Sequence, residues 1–247
     1  GLGCMAAQSA RGSLAKDLDV LVLGTPGPAF PQGCSGLGLS SPLDLAEGFT
    51  SWLASNLRPS LTHVAEDPAN RAVGDLEVAL RAGFTAIVHG TYLSRSDLEA
   101  VADSGVGLII CPRSNMWHSL RLPPVLDAIE SGVRLGLGTD NAAWVEPDPW
   151  GEAQLALLIA RHQGGKGVEG AILRALLTGG YEAVGVKPRA LVEGSRAHLV
   201  MVDGDASGIL RAIDVNSAIV KRSGSWLVAR VDGGKVLELS SFQGLRL

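Results

Sequence analysis

The sequence predicts an α/β protein, a parallel sheet covered by helices, followed by a small antiparallel β appendage. Three observations carry this. Short apolar runs alternate with helical segments from residue 18 onward. Those runs are apolar nearly throughout rather than every second residue, as in strands covered on both faces. After residue 188 the rhythm changes to short strands separated by the turn signals DGD, SGS and DGG. On this pattern alone, a (β/α) barrel and an open doubly wound sheet are both possible. The 247 residues suit one large domain with an appendage, and the boundary is placed near Lys187–Pro188.

The elements read as follows. LDVLVLGTP (18–26) is a buried strand stopped by Gly and Pro, and FPQGCSGLGLSSP (30–42) is a Gly-rich loop. LDLAEGFTSWLASNL (43–57) is a helix with Leu45, Phe49, Trp52 and Leu53 on one face. SLTHV (60–64), FTAIVHGT (84–91), VGLIICPRSN (106–115) and VRLGLGTDN (133–141) are strands. Helices lie between them at 74–83, at 94–105 with a Ser start and a Gly stop, and at 123–132 with Pro first and Gly last. Two more follow at 148–163 and 169–186, and the chain after residue 188, including NSAIVKRSGSWLVARVDGGKVLEL, reads as short strands.

Hydrophobic residues make up 46% and charged residues 19%, which fits a sizeable core, and a net charge of −4 points to neither nucleic acid nor a membrane surface. Cys4, Cys34 and Cys111 lie far apart with no CxxC spacing. That spacing suits a reducing cytoplasm and argues against a disulfide framework or a cysteine zinc site. No apolar run is long enough to span a membrane, and GLGCMAAQSARGS lacks the order of a signal peptide. A cytoplasmic location is expected.

The polar chemistry gathers at strand ends. His63 follows SLT, His89 follows TAIV, and Asp140 follows LGLGT. Catalytic groups of parallel α/β folds sit at the carboxyl ends of strands, so these three side chains are expected on one rim. Imidazole and carboxylate are ligands suited to zinc or ferrous iron. Each residue also has an ordinary reading: His63 paired with Glu66, His89 a satisfied core histidine, Asp140 a helix cap. Their joint placement at strand ends favours the site.

These residues resemble the aminohydrolase branch of the amidohydrolase superfamily, which includes cytosine, guanine and adenosylhomocysteine deaminases. The matching pieces are HVAE (63–66), VHGTYLSRSDLEAVADSGVGLIICPRSN (88–115) and LGLGTDN (135–141). The resemblance implies a (β/α)8 TIM-type barrel of the metal-dependent hydrolase kind, of which this chain carries about strands four to eight over residues 1–187. Residues 188–247 would be a small β-sandwich-like appendage. It implies that His63 binds a divalent metal, zinc or iron, that Glu66 shuttles protons, and that His89 contacts the attacking water and the metal. It implies that Asp140 binds metal and takes the water's proton. Asn115, Trp117, His118 and Trp144 stand just beyond strand ends and are expected to line a substrate pocket.

The chain departs from the family pattern in one respect. The family's first strand ends in an HxH pair, but none of His63, His89, His118, His162 and His198 is one residue from another, and none precedes His63. The chain does not begin with Met and reads as the later part of the pattern, LDVLVLGTP being strand four. It is expected to bind metal weakly alone, and to associate as a homo-oligomer or with a missing N-terminal half. His198 stands where the family usually has Asp and is read as structural. The expected activity is deamination of a purine- or pyrimidine-like heterocycle, a small-molecule substrate. The alternatives are hydrolysis of a cyclic amide or a chlorinated ring, or a non-catalytic half-barrel scaffold.

Overall fold

The computed structural model describes residues 20–26, 33–118, 120–188, 191–195 and 197–238. The N-terminal stretch read for a signal peptide, Cys4, and residues 18–19 of the first expected strand lie outside them. Six strands form one parallel sheet in chain order: β1 (Leu23–Gly24), β2 (Gly36–Leu39), β3 (Ser60–Val64), β4 (Ala86–His89), β5 (Gly107–Ile110) and β6 (Arg134–Leu137). Sequential parallel pairing, with helical crossovers from β2 onward, is the beat of a (β/α) barrel.

The crossovers are α1 (Glu47–Asn56), α2 (Pro68–Ala72) with α3 (Asp75–Ala82), α4 (Arg95–Asp103), and α5 (Pro112–Trp117) with α6 (Val125–Glu130). After β6 come α7 (Pro149–His162), α8 (Glu169–Arg174), a π-helical turn (Ala175–Gly179) and α9 (Gly180–Ala183). Local chemistry sets the starts. Ser94 and Asp97 form a reciprocal capping box on α4, and the Asp148 carboxylate accepts the Trp150 N–H at 3.0 Å where Pro149 opens α7.

Register sorts the strand residues into rows. Thr62, Ile87, Leu108 and Leu135 align across the sheet, and His63, Val88, Ile109 and Gly136 form the next row on the opposite face. The first row lies against the helices, where Leu76, Leu98, Leu157 and Ile172 close the core with Ile87 and Leu108. The second row is the face on which the polar chemistry collects.

Four elements differ from the sequence reading. The Gly-rich loop contains β2, so LDVLVLGTP is not the strand immediately before β3, and with His63 on strand five it takes the third place rather than the fourth. Leu37 and Leu39 of β2 are buried, while Gly36 meets the Pro59 backbone and Gly38 the Leu23 side chain. The glycines mark close approach, not a loop. On α1, Leu53 is buried, and Leu45 just before the helix packs against the core, but Phe49 and Trp52 are 49% and 58% exposed and stack on each other. The helix turns Thr50, Leu53 and Ala54 inward instead. CPRSN is not strand: β5 stops at Ile110 and Pro112 opens α5. Finally, NSAIVKR is the helix α10 (Val215–Arg222), capped by Asp214 and burying Ala218 and Val220.

The expected antiparallel sheet is present as β7 (His198–Val202), β8 (Leu227–Asp232) and β9 (Lys235–Glu238). His198 pairs with Asp232 at 2.8 Å across β7 and β8. The Trp150 indole N–H of α7 donates to the Ile219 carbonyl of α10 at 3.2 Å, so the C-terminal part is tied to the helical layer. Cys111 is free and buried. Among the described residues no helix is long and apolar enough to cross a membrane.

The π-turn is packed backbone to backbone on β6. A Cβ on Gly179 would overlap the Leu135 carbonyl oxygen, and one on Gly180's partner Gly136 would sit 2.8 Å from the Gly180 Cα. Gly179→Ala is therefore expected to lower stability by about 1–3 kcal/mol, the usual cost of overpacking, read from urea unfolding. An unchanged midpoint would show that the π-turn can move off the strand freely.

Candidate active site

Strict alternation along the strands would separate the two histidines. His89 is in register with Val64, so ideal strand geometry puts its ring on the face opposite to that of His63. Instead the rings lie edge to face with centroids 4.7 Å apart. The backbone makes the difference: His89 has φ 73°, in the left-handed region. Ala65 (φ 49°) and Asp140 (φ 56°) are the other non-glycine residues in that region among those described. Such conformations cost about 1–3 kcal/mol each and persist only where surroundings enforce them.

The enforcing contacts are visible. The Asp75 carboxylate, 1% exposed, accepts the Ala65 N–H at 2.6 Å, and the Ala65 carbonyl accepts the Tyr92 N–H at 2.9 Å. The turn between His63 and Glu66 is thereby gripped from both sides. The Gly90 N–H donates to the Val64 carbonyl at 3.0 Å, which continues the ladder past His89. Burial pushes the Asp75 carboxyl upward, while the Ala65 and Leu76 N–H groups pull it back down.

With Ala65 held, Glu66 folds back toward both imidazoles. Its carboxylate lies 3.4 Å from His63 Nδ1 and 3.7 Å from His89 Nε2. The hydrogen bond from His63 holds the Glu66 carboxyl below the usual carboxylate range, against the opposing effect of burial. His89 is fully buried, and desolvation lowers its pKa despite the nearby Glu66 and Asp140 charges. Its Nδ1 is 3.0 Å from Asn115 Oδ1, and the Asn115 amide donates to Thr91 Oγ1 at 2.5 Å. The remaining nitrogen, Nε2, is buried with no hydrogen-bond partner and faces the Glu66 carboxylate.

His63, Glu66 and His89 each offer a ligand atom within 4.8 Å of the others, the group among the described residues that could hold a metal ion. Asp140 stands outside that group. It lies on the same rim, and its carboxylate accepts the Ser114 hydroxyl at 2.6 Å. Asn115 is fully buried, with both its amide groups engaged behind His89. Trp117 and Trp144 are exposed and help line an open cleft of about 410 Å³ with Arg113, Met116, Val145 and Leu155. His118 packs edge to face on Trp144 at 5.4 Å. Sequence reasoning missed Ser114, Asp75 and Thr91, each of which acts through a single hydrogen bond that leaves no mark on hydropathy.

The Amidohydrolase family profile matches residues 51–235, three quarters of the chain, and covers all of these residues. The chain belongs to the amidohydrolase family. It is 38% identical over 106 residues to a putative aminohydrolase of Methanothermobacter thermautotrophicus, covering 40% of this chain and 28% of that protein. It is 26% identical over 169 residues to a 5-methylthioadenosine/S-adenosylhomocysteine deaminase of Haloarcula marismortui, covering 66% of this chain and 39% of that protein. The chain thus spans well under half the length of these relatives. Among solved structures, a zinc-bound adenosine deaminase from Xanthomonas campestris superposes with TM-score 0.70 at 22% identity, covering 81% of this chain and 50% of that one. Atrazine chlorohydrolase from Arthrobacter aurescens, a variant with zinc and atraton, superposes with TM-score 0.65 at 18% identity, covering 94% and 55%. These two likenesses show the fold.

Asp75 is the support that the site's geometry depends on at Ala65. Asp75→Ala is expected to cost about 1–3 kcal/mol, the penalty of a buried N–H left without its acceptor. Urea unfolding checks it, and a loss below about 0.5 kcal/mol would mean that the Ala65 turn is held by other contacts.

Proposed function

We propose that the protein is a metal-dependent hydrolase that deaminates a purine- or pyrimidine-like heterocycle. The observation that carries this is the convergence of His63, Glu66 and His89 at the ends of adjacent parallel strands, with Asp140 on the same rim. The relative named as a deaminase and the zinc-bound deaminase structure support the same reading.

The residues fit a divalent metal. Two imidazoles and carboxylates are a zinc-type donor set, and the orphaned Nε2 of His89 is a buried acceptor with nothing in the protein to satisfy it. His63 and His89 would hold the ion, with Asp140 as a further ligand. A bound metal supplies water activation near neutral pH and polarisation of the ring.

The chain's own residues supply the rest. Asp140 accepts a proton from the attacking water. Glu66, kept ionised by His63, is ready to take that proton and deliver it to a ring nitrogen. The water oxygen bonds to the ring carbon; its second proton then passes through the carboxylates to the exocyclic nitrogen, the exocyclic C–N bond breaks, and ammonia leaves as the oxygen becomes a ring carbonyl. Asn115, braced by Thr91, fixes the His89 ring so that Nε2 faces the reaction. Trp117, His118 and Trp144 offer aromatic faces for the heterocycle.

In the complete protein, Glu66→Gln is expected to lower ammonia release by about 10²–10⁴-fold while zinc content stays at the wild-type level. Asp140→Asn is expected to lose both. Turnover assays with metal analysis of the same preparations check this. Near-full turnover by Glu66→Gln would remove the proton-shuttle role and the deaminase reading with it.

A further inference from the structure

One buried acid has no part in the chemistry above. Glu152, in the first turn of α7, is 0% exposed. Its Oε2 accepts the backbone N–H of Arg113 at 3.0 Å, while Oε1 has no hydrogen-bond partner and lies 3.8 Å from Arg113 Nε. Burying a carboxylate with half its acceptors unused is costly, and proteins keep such a group where it holds something in place.

What it holds is the junction of two rim segments. Arg113 begins the short stretch whose next two residues, Ser114 and Asn115, bond to Asp140 and His89 respectively. The Arg113 guanidinium reaches the other way, donating to the carbonyls of Glu146 at 3.2 Å and Asp148 at 3.4 Å. Those carbonyls close the loop that carries Asp140 and Trp144. The junction is tight: a Cβ on Gly151 would stand 2.7 Å from the Asp148 carboxylate and 3.0 Å from Arg113 Nη1. Glu152 therefore sits under a pivot from which both segments are fixed.

We infer that Glu152 is a positioning residue: through Arg113 it locks residues 111–118 and 138–148 in one register, so that Asp140 and the His89–Asn115 pair stay aligned. The inference rests on the reading of His89 and Asp140 as parts of one reaction site. The environment agrees with a constrained acid, since burial raises the Glu152 carboxyl to about 7 against the pull of Arg113.

The test compares the complete wild-type protein with Glu152→Ala and Glu152→Gln by hydrogen exchange and by steady-state kinetics. Glu152→Ala should speed exchange about 10-fold or more in peptides covering 111–118 and 138–148, leaving 60–64 and 86–89 at wild-type rates. Glu152→Gln, whose side-chain carbonyl can still accept the Arg113 N–H, should restore most of the protection at 111–118. Misalignment should lower kcat about 10-fold or more, and KM should rise with it, because the loosened segments also carry the cleft residues Arg113, Trp117 and Trp144. Unchanged exchange in the two segments would overturn the inference, as would an equal rise in β3 and β4, which marks general destabilisation. The exchange result stands whether or not the wild type deaminates any heterocycle, so failure of the positioning role and failure of the functional reading are distinguishable.

Discussion

Left-handed backbone at Ala65, His89 and Asp140 is the constraint on which the site depends. A parallel strand sends successive side chains to opposite faces, so an unmodified strand end can present one polar group to the rim and must bury the next. At β4 the turn of φ to 73° brings an imidazole round to meet that of His63 across the register. Next to β3 the turn at Ala65 folds Glu66 back under both rings. The conformation is least favourable for alanine and easier for histidine and aspartate, and its cost is met by the packed sheet and by particular bonds such as that of Asp75.

The electrostatics follow from that geometry. Bringing one carboxylate against two imidazoles holds the Glu66 carboxyl below its usual range, while burial lowers the His89 imidazole. Under the proposed function both downward shifts suit the site, since one leaves Glu66 an ionised proton acceptor and the other leaves His89 a neutral imidazole. Asn115 and Thr91 fix the ring from behind, Ser114 ties Asp140 to the neighbouring segment, and Arg113 ties that segment to the helix below.

Much of this is legible in the sequence. Apolar runs gave the positions of β3 to β6, Gly and Ser punctuation gave α3, α4 and α6, and the polar residues at strand ends marked the rim. What was not legible has physical causes. Two of the four residues of β2 are glycines, present because the Pro59 backbone and the Leu23 side chain come too close for a Cβ, and hydropathy reads them as loop. Pro112 starts a helix directly after a strand, so an apolar run and its sequel look continuous. α10 has a β-branched composition and becomes a helix through the Asp214 cap and a seat against α7. Asn115 lies in a conspicuous motif, yet only coordinates reveal that it faces His89 rather than the cleft.

The central claim is that these strand ends were bent to make one metal-holding centre. Calorimetric titration of zinc into the complete, metal-stripped protein tests it most directly, with His63→Ala and His89→Ala alongside. The account predicts stoichiometric binding by the wild type and at least ~10-fold weaker binding by each variant, since each removes an imidazole from the donor set. Zinc held equally well by both variants would contradict it.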